Sequence, residues 1–218
     1  MALRLGVLAS FNGTNFQAIL DAVKAGKLRG VEIACLASNK PDCGAVERAK
    51  KAGVKTVIIT LDKAGGGKAG DGKKTREEYD AELVAALKKE RIDLVVLAGF
   101  FRLLSPVFVK AFENRIINLH PSLLPAFKGG CSDAQKRALD WGVKVTGCTV
   151  HFVDETEDEG PIIVQKAVAV EENDDEESLS ARIRVKEHEA LVEAIQLIAD
   201  GRTKIEGRRV RILPKKRN

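Results

Sequence analysis

Asn118 and His120 stand two residues apart in the segment NLHPSLLP. In an extended strand, side chains two apart share a face. The two would therefore project together while Leu119 packs the other way. An Asn amide is a neutral donor to a developing oxyanion. A His near neutral pH gives or takes a proton. Pro121 and Pro125 stiffen the turn that follows. The plainer account of such a pair on its own is a structural Asn and His closing a loop. His151, in mid-strand, and His188, in mid-helix, read as structural.

Two other segments bear on chemistry. SFNGTN (10–15) joins the first strand to the first helix. Gly13, Thr14 and Asn15 lead into a helix N-terminus, where free N–H groups and the dipole favour a phosphate. An ordinary turn with Thr14 or Asn15 as N-cap fits equally well. DETEDEGP (154–161) is an acidic loop before a strand. A carboxylate from it, set against His120, would raise that pKa by favouring the charged form. A solvated acidic turn is the account that needs no crossing of the fold.

The Gly/Lys-rich stretch 61–74 offers two weaker patterns. GGGKAG satisfies G-x-G-x-x-G, and GKAGDGKK approaches a Walker A loop with Lys74 where Ser or Thr should hold Mg²⁺. The preceding strand ends too early for a tight cradle, and LVVLAG ends without the expected Asp. A mobile insertion is the better account. No G-x-S-x-G elbow occurs. Cys35, Cys43, Cys131 and Cys148 make no C-x-x-C pair and no zinc spacing, which points to reduced thiols and a cytoplasmic protein.

The elements that must position these residues alternate along the chain. Strand-length apolar runs lie at 3–9, 31–38, 55–60, 94–99 and 116–120. Helical patterns fall between them at 15–26 and 44–53. Another runs from the T-x-x-E capping box at Thr75 and Glu78 to about Arg91, and a further one starts at Ser105-Pro106. A helix over 133–142, strands at 145–153 and 161–170, a long helix over 178–201 and a final strand or hairpin complete the chain. The alternation predicts an α/β fold with a doubly wound, mostly parallel, Rossmann-like sheet and helices on both faces. The short linker between the two late strands predicts an antiparallel edge near the C-terminus. Ligands of such sheets sit outside the carboxyl ends of the strands.

The 218 residues suit one domain, 1–218. The hydrophobic fraction of 44% supports a core, and the aromatic fraction of 5% makes it aliphatic. The net charge of +5 is partly local, since GRRVRILPKKRN carries six basic residues and no acidic one. Without interleaved aromatics, that tail reads as a solvated surface rather than a nucleic-acid site. The N-terminus runs straight into a strand, and no apolar run approaches the roughly 20 residues that span a bilayer.

Taken together, the motifs resemble the glycinamide ribonucleotide formyltransferases, the folate-dependent family of purine synthesis. The resemblance covers essentially the whole chain. It rests on SFNGTN, SNKPDCGAVERAKKAGV, TREEYD, DLVVLAGFFRLLSP, INLHPSLLPAFKG, VTGCTVHFVDE, EDEGPIIVQ and KEHEALVEAI, in the family's order. It implies a phosphate-binding half over about 1–100 and a catalytic, folate-binding half over about 101–218, with Asn118, His120 and Asp158 as the catalytic trio. It implies a phosphate on Gly13, Thr14 and Asn15, with Lys186 and Glu187 also on the substrate. It implies 10-formyltetrahydrofolate as co-substrate, held by Arg76, Phe101, Arg102, Leu103, Leu104, Asn118, Asp154, Glu155, Thr156 and Glu157. Small-molecule substrates, no metal, no nucleic acid, no membrane, and a monomer or homodimer follow from the same resemblance. The chain departs from the family at Phe11, where a second glycine is usual, in the insertion at 62–74, and in the spacing of FKGGCSDAQKRAL. Methionyl-tRNA formyltransferase and formyltetrahydrofolate hydrolase share the trio but normally carry a further domain. A non-catalytic phosphate- or nucleotide-binding module would need the trio disrupted.

Overall fold

The computed structural model describes residues 2–62, 73–129 and 133–215. Most of the Gly/Lys stretch and Cys131 lie outside them. The reading of that stretch as a mobile insertion lies outside the described residues with it.

Strand β1 (Leu3–Leu8) leads to helix α1 (Thr14–Lys24), β2 (Val31–Ser38), α2 (Gly44–Lys51) and β3 (Thr56–Ile58). Then come α3 (Arg76–Lys89), β4 (Leu94–Leu97), α4 (Pro106–Ala111) and β5 (Ile116–His120). The second half holds α5 (Ala134–Asp140), β6 (Val145–Phe152), β7 (Ile162–Ala169), α6 (Glu176–Ala199), β8 (Thr203–Glu206) and β9 (Arg209–Ile212). The strands form one sheet in the order β3-β2-β1-β4-β5-β6-β7-β9-β8. From β3 to β5 neighbours are parallel. The pairs β5–β6 and β6–β7 are antiparallel. The late pair β6–β7 lies inside the sheet, and the β8–β9 hairpin continues it to the edge.

Period-two alternation splits the core between the two faces of the sheet. Leu5, Val7, Leu94 and Val96 pack with α1, α2 and α6, through side chains such as Phe16, Val46 and Leu191. Leu8, Val95 and Leu97 pack with α3 and α4, through Leu83, Leu87 and Phe108. A buried Leu, Ile or Phe contributes about 1.5–3 kcal/mol, so this double layer and not the helix caps holds the fold together.

Caps still set boundaries. Thr75 and Glu78 form the expected capping box. A second box, Asp175 with Ser178, starts α6 at Glu176, two residues earlier than its apolar periodicity suggests. The N-cap of α1 is Gly13, in the left-handed region at φ 70°, and not Thr14 or Asn15. A Cβ there would stand 2.6 Å from the Ala45 Cα. Close passage of the turn over the start of α2 therefore demands glycine, and side-chain capping gives way.

Candidate active site

Parallel strands β1, β4 and β5 end on the same rim of the sheet. The connections that follow them meet there, and the Ser10 N–H donates to the Gly99 carbonyl at 3.0 Å. Strand β5 supplies Asn118 and His120. Its antiparallel register sets Asn118 opposite His151 on β6. Cross-strand partners of this kind hold their side chains side by side on one face. Asn118 Nδ2 is accordingly 3.3 Å from His151 Nε2.

Asp158 reaches this pair from the loop between β6 and β7. The loop closes tightly, with the Phe152 N–H donating to the Pro161 carbonyl at 2.9 Å. Gly160 makes the closure possible, because a Cβ there would lie 1.8 Å from the Phe152 carbonyl oxygen. Asp158 takes a left-handed conformation at φ 54°, which a short polar side chain tolerates better than most. Its Oδ2 lies 3.2 Å from His120 Nδ1 and accepts from the Gly129 N–H at 2.8 Å. Its Oδ1 accepts from Asn118 Nδ2 at 3.5 Å and lies 3.6 Å from His151 Nε2. The carboxylate thus touches both residues of the NLH pair.

The second nitrogen of His120, Nε2, is 3.0 Å from the Phe127 carbonyl. A carbonyl only accepts, so Nε2 carries the proton. In the neutral ring, Nδ1 then turns its lone pair toward Asp158 and makes no hydrogen bond. Protonation at Nδ1 would convert that contact into an ion pair. The turn after His120 is held by Thr149, whose Oγ1 donates to the Ser122 carbonyl at 2.7 Å and accepts from the Leu124 N–H at 3.0 Å.

Burial and charge pull His120 in opposite directions. Its ring is 1% exposed. Burial pushes its pKa down, Asp158 and the Phe127 carbonyl push it up, and the net shift is downward. The rise expected from a neighbouring carboxylate is present but smaller than the desolvation it opposes. For Asp158, burial pushes the carboxyl up. His151, His120 and the Gly129 N–H together outweigh that and hold it below its ordinary value.

A cleft of about 330 Å³ opens onto the trio. Phe101, Arg102, Leu103 and Leu104 wall one side, and Asp154, Glu155, Thr156 and Glu157 the other. Helix α3 braces the first wall. Buried Asp80 accepts from the Ser105 N–H at 2.5 Å, and the Arg102 guanidinium lies 4.6 Å from the Tyr79 ring centre. Along the same rim, Asn15 Nδ2 donates to Glu187 Oε2 at 3.4 Å, while Asn15 Oδ1 has no partner among the described residues. Burial raises the Glu187 carboxyl pKa, against the lowering effects of Asn15 and Arg184.

The family described as Formyl transferase matches residues 3–195. The chain belongs to the formyl transferase family. It is 45% identical over 200 residues to the trifunctional purine biosynthetic protein adenosine-3 of Chironomus tentans, covering 91% of this chain and 14% of that protein. It is 40% identical to the phosphoribosylglycinamide formyltransferase of Escherichia coli (strain K12), over 93% of this chain and 90% of that one. The crystal structure of glycinamide ribonucleotide transformylase 1 from Symbiobacterium toebii superposes with a TM-score of 0.89 at 47% identity, covering 98% of this chain and 95% of that one. The chain thus spans a small part of the trifunctional insect relative and nearly all of the bacterial ones.

Within this formyl transferase the expected site residues divide. Asn118, His120 and Asp158 converge, as do the two walls of the cleft. Gly13, Thr14 and Asn15 form the start of α1, and Asn15 meets Glu187. Arg76 stands apart at the first turn of α3, its Nε 3.9 Å from Glu77, outside the lining of the cleft. Lys186 pairs along its own helix with Glu189 at 2.9 Å. His151, read as structural from its mid-strand place, lies inside the trio. Only the register of β5 against β6 brings it there, and that register is not written in the local pattern.

Proposed function

We propose that this formyl transferase carries the formyl group of 10-formyltetrahydrofolate to the amine of glycinamide ribonucleotide, in de novo purine synthesis. The observation that carries the reading is the Asp158 carboxylate, 3.2 Å from His120 and 3.5 Å from Asn118, at the mouth of the cleft. The names of the bacterial relatives, matched over nearly their full length, support the choice of substrates.

The amine attacks the formyl carbon directly, with no covalent enzyme intermediate. Asn118 donates to the tetrahedral oxyanion. His120, protonated, shares that charge once its Nε2 turns from the Phe127 carbonyl, and Asp158 holds the imidazolium at Nδ1. Burial disfavours the charged ring in the free protein. The oxyanion adds a second negative charge beside it and shifts the balance as the reaction proceeds. The proton lost by the amine passes through water to the folate nitrogen that leaves as its bond to the formyl carbon breaks. The folate lies between Phe101–Leu104 and Asp154–Glu157, and the phosphate on Gly13, Thr14 and Asn15, with Glu187 on the sugar. Arg76 and Lys186 would have to swing from their present partners to take part.

The whole chain acts as one domain, its first half holding the phosphate and its second half the folate and the chemistry. We place it in the cytoplasm as a monomer or homodimer acting on small molecules. Among the described residues no helix is long and apolar enough to cross a membrane.

Mixing the protein with both substrates tests the reading. Tetrahydrofolate release is expected only when glycinamide ribonucleotide is present; release by water alone would mean a hydrolase. Removing one oxyanion donor, Asn118→Ala, is expected to lower kcat on the order of a hundred- to a thousandfold. Wild-type turnover in Asn118→Ala, His120→Ala and Asp158→Ala would defeat the assignment.

A further inference from the structure

We propose that Phe11 is a positioning residue that couples the two substrate sites, so that filling one tightens the other. The proposal rests on the function above and goes beyond it, since it concerns how the two ligands feel each other.

The Phe11 and Phe101 rings lie 4.7 Å apart between centres, their planes tilted by 42°. Lys40 Nζ sits 4.3 Å from the centre of the Phe11 ring. The stack therefore joins the connections after β2, β1 and β4. Phe11 and Phe101 are 44% and 53% exposed, so the pair is not part of the core. Its backbone on the β1 side is pinned. The Phe11 carbonyl accepts from the Ala45 N–H at 3.0 Å, and the Asn12 carbonyl from Arg48 Nε at 2.9 Å. Phe11 lies two residues before Gly13, in the turn that would hold the phosphate. Phe101 lines the cleft that would hold the folate. A ligand filling either turn confines the exposed ring beside it, and the confined ring limits the freedom of the other. The second ligand then has less motion to arrest, which is positive coupling without a change of fold.

Calorimetric titration with tetrahydrofolate, with and without saturating glycinamide ribonucleotide, reads the coupling. An aromatic pair corresponds to a factor of about two to ten in affinity. By linkage the reverse titration must give the same factor. In wild type, tetrahydrofolate is expected to bind tighter by that factor when the ribonucleotide is present. Phe11→Leu and Phe101→Leu should each bring the factor close to one, the double variant no further, and Phe11→Tyr should restore it. Phe101 walls the cleft, so folate affinity itself falls in its variant; the ratio of affinities is what counts. A wild-type factor of one or below, or a factor untouched by Phe11→Leu, overturns the coupling alone. A wild type that binds no tetrahydrofolate overturns both this and the function on which it rests.

Discussion

His151 stands 3.3 Å from the Asn118 amide and 3.6 Å from the Asp158 carboxylate, with its Nδ1 at 2.9 Å from its neighbour's carbonyl at Phe152. The nitrogen facing the trio is therefore the one free to accept from Asn118. Replacing the ring by Leu leaves the half-buried Asn118 amide short of an acceptor. A loss of about 1–3 kcal/mol is expected, or roughly five- to 150-fold in kcat if it falls on the transition state. Steady-state kinetics of His151→Leu against wild type would show it, and an unchanged kcat would return His151 to a purely structural part. Single residues were unevenly legible in the sequence. Asn118 and His120 declare their shared face by spacing alone. Asp158 is some forty positions away, and only family resemblance marks it out from the other carboxylates of its loop. The direction of the His120 shift was not legible, because burial is a property of the packed sheet.

Two loops that line the cleft each lean on a close contact made by one residue. The loop after β6 depends on Gly160, and Gly160→Ala would press a methyl against the Phe152 carbonyl at 1.8 Å. The expected result is a stability loss of about 1–3 kcal/mol by denaturant titration, together with a fall in kcat as Asp158 is displaced. Normal stability with normal turnover would contradict the account of that turn. The loop after β4 depends on Asp80. Asp80→Ala leaves the buried Ser105 N–H without its acceptor, at a cost of about 1–3 kcal/mol, and should raise KM for the folate more than it lowers kcat. Elements were the most legible scale. Apolar runs and period two located the strands, and T-x-x-E located the start of α3. The start of α6 was missed by two residues, because Asp175 and Ser178 form a box that lacks the usual Glu. That the cap of α1 is Gly13 and neither Thr14 nor Asn15 has a different reason: the contact with Ala45 comes from another helix, and nothing local announces it.

At the scale of the whole molecule, the titrating interior links folding to pH. His120 and His188 both have pKa values lowered from 6.5, by burial first and foremost. The unfolded chain therefore takes up protons near pH 6.5 that the folded chain refuses, and these two groups cost stability as pH falls below about 7. Glu187, with its carboxyl raised from 4.5, acts in the opposite sense, gaining stability as pH falls toward 4.5. The sum is a contest, but the separate parts can be read. Between pH 7.5 and 5.5, His120→Gln and His188→Gln should each lose less thermal stability than wild type. A greater loss in either would reverse the sign argued here. The parallel half of the sheet and its two helical layers were legible from alternation. The order of strands was not, since nothing in a strand's own sequence names its neighbour.

That silence about neighbours has a consequence for the β5–β6 pair. Sliding β6 by two residues keeps every inward side chain inward and every outward one outward. It would nevertheless replace His151, opposite Asn118, by Thr149 or Val153. Such a protein would pass any test of compactness and still have exchanged its reagents. A two-residue insertion in the connection from β5 to β6, matched by a two-residue deletion in the 153–161 turn, is thus a way to separate what selection on folding preserves from what selection on chemistry must preserve in addition.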